Sequence, residues 1–343
     1  MALWTDIIDP ADLTGYARAS LADYEASRGT LARWLPNREV ADIAVEFMTG
    51  QTGLVDVAAF RAYDAEIEIG KGPSRQKIQI ELPALGQNVP VSEYNQLRAR
   101  GGSPSDEAIL ATIQKTTDVV VRAVADAIER MRGVVLLTGK ATLAGFMDDD
   151  FGRAAGHTVT AGASWATAST DALGHLTTWF DTYVAANGEE PGAILASTRI
   201  VRLMGALTQF GTQLGNGASR PATADDVRAT VAAAGLPPIY TYDRRVSIAG
   251  SATRVVADDK LMLLPAPVET DDWMGTELGA TFWGRTLTST EADWGIEDVE
   301  QPGLVAGVYR GDKPPMIAEV LSDAIALPVL ANADLSFVAD VIP

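Results

Sequence analysis

Apolar and polar residues alternate through "AYDAEIEIGKGPSRQKIQIELPALG", residues 62–86. Ile67 and Ile69 alternate with Glu66 and Glu68, and Ile78, Ile80 and Leu82 alternate with Lys77, Gln79 and Glu81. A period of two puts the isoleucines on one face of a strand pair. The intervening Gly-Lys-Gly-Pro-Ser-Arg supplies the turn. A lone two-stranded ribbon is marginal in water, so its apolar face needs cover from elsewhere.

The period then changes. In "SPSDEAILATIQKTTDVVVRAVADAIERMRGVVLLTG", residues 103–139, the apolar stripe Ile109, Ile113, Thr116, Val120, Ala123, Ala127, Met131 and Val134 predicts one long helix. Ser103 is the natural N-cap, Pro104 fits the first turn, Asp106 completes a capping box and Gly139 ends the run. Gln114, Asp118, Arg122, Glu129 and Arg130 fall off the stripe. About 35 residues at ~1.5 Å each make a rod of roughly 50 Å. Without a sustained heptad, it reads as a single helix crossing a broad surface rather than a coiled coil.

Upstream, residues 1–55 hold a short amphipathic helix near Leu13–Ala26, then irregular chain with a strand-like piece near Ile43–Phe47. Trp4, Trp34 and Leu35 are large apolar groups on a thin segment. They either close on the chain's own body or lie on a neighbouring subunit. Downstream, residues 165–265 alternate as an α/β unit. A helix at 169–186 has Leu173, Leu176, Phe180 and Val184 inward and stops at Asn187-Gly188. A strand at 193–197, a helix at 199–210 and a glycine-rich loop at 211–221 follow. Thr223 and Asp226 then cap a helix ended by Gly235, before strands "IYTYD", "TRVVAD" and "KLMLLPAP". Residues 275–343 are β-rich, with "GATFWGRTLT", "LVAGVYR", "PPMIAEV", "AIALPVLA" and "LSFVADVI" as separate strands.

Composition narrows the function. With 47% apolar residues the chain can bury a real core, and with no cysteine it has neither disulfides nor thiol chemistry. Lys plus Arg is 27 against 45 Asp plus Glu, a formal charge of −18, which repels nucleic acid rather than gripping it. Asp6, Asp9 and Asp12 interrupt any signal-peptide core, and no stretch approaches the roughly 20 apolar residues of a membrane span. The expectation is an acidic protein made in a cytoplasm, without membrane contact.

Candidate chemistry is thin. "GVVLLTGKAT", 133–142, has five residues between its glycines and Ala141 in place of the magnesium-binding hydroxyl, so it reads as a helix end and not a phosphate loop. Asp148, Asp149 and Asp150 lack calcium-loop spacing and read as a solvated acidic turn. His157 and His175 sit in no metal motif, and "GASWA" lacks the second glycine of a nucleophile elbow. The glycine loop matches no dinucleotide fingerprint, and Trp273, Trp283 and Trp294 read as core or interface groups. No catalytic, cofactor or metal residue is assigned.

The order of elements (arm, apolar hairpin, very long helix, α/β unit, terminal β-rich stretch) resembles the phage lambda major head protein family of tailed-phage capsid proteins, with the Hong Kong 97-type fold. "ERMRGVVLLTG" and "PGLVAGVY" are similar to stretches of that family. The resemblance implies an α+β class chain with an N-terminal arm at 1–56 and an extension-loop hairpin at 57–86. A peripheral domain at 87–164 then carries the spine helix 103–138. An axial domain follows at 165–264, with peripheral return strands at 265–315 and C-terminal axial strands at 316–343. Trp4, Trp34, Leu35, Ile67, Ile69, Lys71, Arg75, Ile78, Ile80 and Leu82 become intersubunit contacts. The ribbon face is then bare because it lies on the next subunit.

The implied function is a homo-oligomer of hexamers and pentamers forming the virion head shell around double-stranded DNA, assembled in the host bacterial cytoplasm. A scaffolding protein, a portal and an optional decoration protein are the expected partners; tight nucleic-acid binding is not expected. No long charged helical segment precedes the arm, so scaffolding is expected to be a separate protein, with a segment cleaved before Met1 as the alternative. Some relatives join a loop lysine to a neighbour's asparagine; here Lys71 and Lys77 are present but residues 265–315 hold no asparagine, so no covalent cross-link is expected. An encapsulin-like compartment on the same fold is the alternative. An α/β ligand-binding protein or enzyme is a third reading, and particle size and contents separate the three.

Overall fold

The computed structural model describes residues 2–49, 76–100, 106–143, 145–213 and 221–342. The first elements are β1 (Ala2–Leu3), α1 (Pro10–Ser27), β2 (Asn37–Glu39), β3 (Ala44–Thr49), β4 (Gln76–Glu81) and β5 (Ala84–Val91). Then come α2 (Glu93–Arg100), α3 (Asp106–Thr138), β6 (Lys140–Leu143), β7 (Met147–Asp150), β8 (Thr158–Thr160) and α4 (Ala172–Asn187). The middle holds β9 (Ala193–Ala196), α5 (Thr198–Ala206), α6 (Thr208–Gln213), α7 (Ala224–Ala233), β10 (Ile239–Thr241), β11 (Arg245–Ile248), β12 (Ser251–Arg254) and β13 (Lys260–Leu264). The chain ends with β14 (Gly279–Gly284), α8 (Leu287–Thr290), β15 (Val305–Arg310), β16 (Ala318–Leu330) and β17 (Phe337–Asp340).

Two compact units result, one from residues 2–46, 79–132 and 280–328, the other mainly from 133–279 and 329–342. The division falls inside α3, between Arg132 and Gly133. The first unit is organised by a sheet in the order β1-β15-β16-β14-β2, with β5 also paired to β16. Its core joins Leu13 and Ala17 of α1, Ile109 to Ile128 of α3, and Val308, Val320 and Ala324 of the sheet. The Thr14 hydroxyl donates to the Ala306 carbonyl and accepts from the Ala306 amide, which fixes α1 on β15. The second unit carries a mixed sheet, β10-β9-β13-β17-β8, whose β9 is buried on both faces.

Local signals set the element ends. Asp9 caps α1 and Pro10 opens it. Thr223 and Asp226 form the expected capping box of α7. Gly139, Gly188 and Gly235 take left-handed conformations (φ 71°, 75° and 75°) at three helix ends.

Several expectations shift. The buried face of α3 runs through Ile109, Ile113, Thr117, Val120, Val124, Ile128, Arg132 and Val135, and Ala127 is exposed. A 33-residue helix drifts against a fixed stripe, and its cover changes along its length. In α4 the inward residues are Ala172, Leu176, Trp179 and Tyr183, about one position off the expected set. The helix expected at 199–210 breaks at Leu207 into α5 and α6. The two C-terminal strands expected at 314–331 are one 13-residue strand, β16. Residues 318–328 belong to the first unit, because β16 pairs with β15 and β5. Residues 329–342 belong to the second.

Candidate assembly site

Arg132, the last α3 residue of the first unit, is fully buried. Its Nη1 donates to Glu25 Oε1 at 2.6 Å and Glu129 Oε2 at 3.2 Å, its Nη2 to Asn37 Oδ1 at 2.6 Å, and its Nε to Thr281 Oγ1 at 2.9 Å. Glu129, one turn earlier, also accepts from the Thr30 hydroxyl at 3.0 Å and the Leu31 amide at 2.8 Å. Asn37 passes the chain on, donating to Glu25 at 2.9 Å and accepting from Trp283 Nε1 at 2.9 Å. One guanidinium thus ties α1, the 30–37 turn, α3 and β14 together. Burial by itself lowers the affinity of Arg132 for its proton, but Glu25 and Glu129 outweigh that and raise its pKa.

This network lay outside the sequence reading, which placed Glu129 off the apolar stripe. Glu129 is buried. The available signal was phase: Arg132 follows Ile128 by four positions and precedes Val135 by three, so it sits on the apolar stripe. A cation there must find buried carboxylates.

The arm is likewise corrected. Trp4, Trp34 and Leu35 are all buried within their own subunit. The Trp4 amide donates to the Val308 carbonyl, and Arg310 stacks on the Trp4 ring at 4.5 Å. The Leu35 carbonyl accepts from Thr281 Oγ1 at 2.8 Å. Chain distant in sequence supplies the cover that the arm itself lacks, so these side chains are not bare surface for a neighbour.

The ribbon also has local cover. β4 pairs with β3, and Ile80 and Leu82 are buried in the subunit. The Leu82 amide donates to the Ile43 carbonyl, and a Cβ on Gly284 would sit tightly against Leu82 and the Asp42 carbonyl, both at 3.1 Å, and Ile325 at 3.3 Å. Ile80 and Leu82 are therefore core residues at the root of the ribbon. Ile78 lies in β4. Ile67, Ile69, Lys71 and Arg75 lie outside the described residues.

The remaining candidates have structural roles. "GVVLLTGKAT" is the end of α3 followed by β6, and the acidic triplet forms β7, where Asp150 pairs with Lys140 at 2.7 Å. The triplet is thus a hairpin strand and not a turn. His157 is buried, its Nδ1 2.8 Å from the Asp334 carbonyl, and His175 Nδ1 accepts from Trp165 Nε1 at 3.1 Å. Trp283 and Trp294 are core groups. Among the described residues no group of acids and histidines could hold a metal, and no helix is long and apolar enough to cross a membrane.

The family model for phage major capsid protein E matches residues 32–276, well over half of the chain. No curated protein matches in sequence. Among solved structures, a phage-related protein of Bordetella bronchiseptica RB50 is 16% identical, with 99% of this chain and 98% of that one covered and a TM-score of 0.61. A prophage protein of E. coli CFT073 assigned as a capsid protein is 13% identical, with 98% and 99% covered and a TM-score of 0.66. The capsid of cyanophage P-SCSP1u is 12% identical, with 91% and 88% covered and a TM-score of 0.50. At these identities the likeness speaks for the fold.

Proposed function

The chain belongs to the phage major capsid protein E family and forms the shell of a virion head, and on that premise we propose that it assembles as hexamers and pentamers into an icosahedral shell enclosing double-stranded DNA. Its fold is the Hong Kong 97-type capsid fold. We assign the first unit to the peripheral domain, with α3 as its spine, and the second to the axial domain. The segment joining β3 to β4, with Ile67, Ile69, Lys71 and Arg75, is the part assigned to neighbour contact.

The observation that carries this reading is the family match over 32–276 on a chain whose buried ionic residues serve packing. The role is structural and non-catalytic. The charge of −18 supports a wall that does not grip its DNA, since like charge leaves the genome mobile. Scaffolding, portal and decoration proteins fit as partners, and assembly in the bacterial cytoplasm fits a chain without cysteine.

Sedimentation and negative-stain microscopy of the expressed chain test this. Rings of five and six copies and closed shells are expected. A species that stays monomeric or dimeric across the micromolar range contradicts the proposal. Particles holding protein cargo instead of DNA in a phage lysate would favour a compartment of the encapsulin kind.

A further inference from the structure

Two patches of the first unit have firmly anchored backbones yet leave apolar side chains in water. One is on α2. Gln96 is buried there, and its amide donates to the Val91 carbonyl at 3.0 Å and the Met316 carbonyl at 2.8 Å. On the open face Tyr94 is 69% exposed and Leu97 63%, with exposed Arg98 beside them. Spacings of three and four make these three residues one contiguous helical patch, apolar with a cation at its edge.

The other patch is the loop 286–301, closed at its neck by the Arg285–Pro302 bridge. Trp294 pins it, its ring filling the space a Cβ on Gly307 would need. Arg18 donates to the Glu300 carbonyl at 2.6 Å, and Thr288 to Asp323 at 2.6 Å. Despite these ties, Leu287 is 78% exposed and Val299 86%. Around them stand Glu291, Asp293, Glu297, Asp298 and Glu300, all exposed, with no Lys or Arg in the loop. Compact loops of this closed kind are frequently interaction sites.

We propose that α2 of one copy docks on the 286–301 loop of the next, Tyr94 covering Leu287 and Leu97 covering Val299 while Arg98 faces Glu297 and Asp298. The argument is complementarity. Copies carrying −18 each repel one another, so a contact between them needs opposite charge at its rim and apolar area at its centre. The apolar patch with a base and the apolar patch with five acids supply both halves. Because the two surfaces differ, the contact is head-to-tail, the type that closes into rings. This goes beyond the shell-forming role by naming the faces that meet, and it uses particles already assembled, so its failure is separate from a failure to assemble.

The absence of native cysteine makes the test free of background. The double variant Leu97→Cys with Val299→Cys is assembled, oxidised and run in denaturing gels without reductant. A ladder of dimers, trimers and higher species up to a closed ring is expected, with each single variant staying monomeric. Normal particles that yield only monomer overturn the proposal, as does a Leu97→Cys single variant that forms dimers, since that shows a self-paired face. If the cysteines prevent assembly, charge reversal decides. Arg98→Glu should lower the assembled fraction about tenfold, and adding Glu297→Arg with Asp298→Arg should restore it. Folded subunits, checked by circular dichroism, that show no rescue overturn the pairing.

Discussion

Arg132 in the first unit and Arg153 in the second are both withdrawn from water, but by different means. Arg132 meets two carboxylates, Glu25 and Glu129. Arg153 meets neutral oxygens: the Leu136 and Leu137 carbonyls at the end of α3 and the Ser336 hydroxyl. The consequence is opposite for the proton. Carboxylates raise the pKa of Arg132, whereas burial pulls Arg153 down to about 10, with Asp334 and Asp150 only partly offsetting it. Arg153 remains a cation at neutral pH, held by the negative end of a helix. A folded-state pKa below arginine's ordinary value means that ionised Arg153 costs stability below about pH 10, and this cost is relieved as pH rises from there. Arg132 contributes stability throughout the usual range, since its raised pKa is lost only at extreme alkalinity.

Removing the cation should therefore act very differently in the two places. Arg132→Met leaves Glu25 and Glu129 buried without their counter-charge, and the expected loss is about 3–5 kcal/mol in urea unfolding of the unassembled subunit. Adding Glu25→Gln and Glu129→Gln should recover part of it, because the remaining oxygens still accept from the Asn37 amide and the Leu31 N–H. No recovery would place the cost in lost packing instead of charge.

Arg153→Met should cost less, about 1–3 kcal/mol, because it strands only neutral acceptors and removes a buried charge at the same time. If the two arginine variants lose equal stability, the distinction between carboxylate and carbonyl partners is wrong.

What the sequence could and could not show follows the same division. Signals confined to a few neighbouring residues were legible: the Thr223–Asp226 capping box, Gly139 at the end of α3, Gly188 after α4, and the apolar strand β9. The β11–β12 hairpin was missed although its turn is local, since Ala249 adopts a left-handed conformation (φ 48°) that no propensity advertises. The Arg132 network was not legible because, apart from Glu129, its parts lie about 100 residues and more from Arg132. Arg132 and Glu25 are separated by 107 positions, and Arg132 and Thr281 by 149. Trp4, Trp34 and Leu35 posed the same problem, for their cover comes from strands near the other end of the chain.

The residue after Arg132 sharpens the contrast between helix propensity and packing. Gly133 is interior to α3, where alanine would ordinarily gain about 1 kcal/mol. A Cβ there would meet the Val255 carbonyl oxygen and Cγ1, both at 2.6 Å. Backbone cannot yield as a side chain tip can, and overpacking of this kind costs about 1–3 kcal/mol. Gly133→Ala should thus destabilise the subunit by about 1 kcal/mol net, read as a lowered urea midpoint with unchanged slope. A stabilised variant would show that β12 and its flank shift freely.

The smallest expected effect concerns a third way to hold an arginine, at the surface of the second unit. Arg254 donates to Asp243 at 2.6 Å, and Asp243 also accepts from the Thr198 amide at 3.0 Å. Burial tends to raise the pKa of Asp243, but the bonds from Thr198 and Arg254 outweigh it and leave the carboxylate below its ordinary 3.8. A depressed folded-state pKa means that the unfolded chain takes up the proton first as pH falls. The contribution is therefore present above about pH 4 and lost below it. With a third of the side chain exposed, the pair is worth less than about 1 kcal/mol. Asp243→Asn should lower stability slightly at pH 7, with its curve and the parent's converging as pH falls below about 4. Curves that stay parallel from pH 7 to pH 3 would mean that Asp243 does not titrate there, and that Arg254 is held by Asp258, 3.6 Å away, instead.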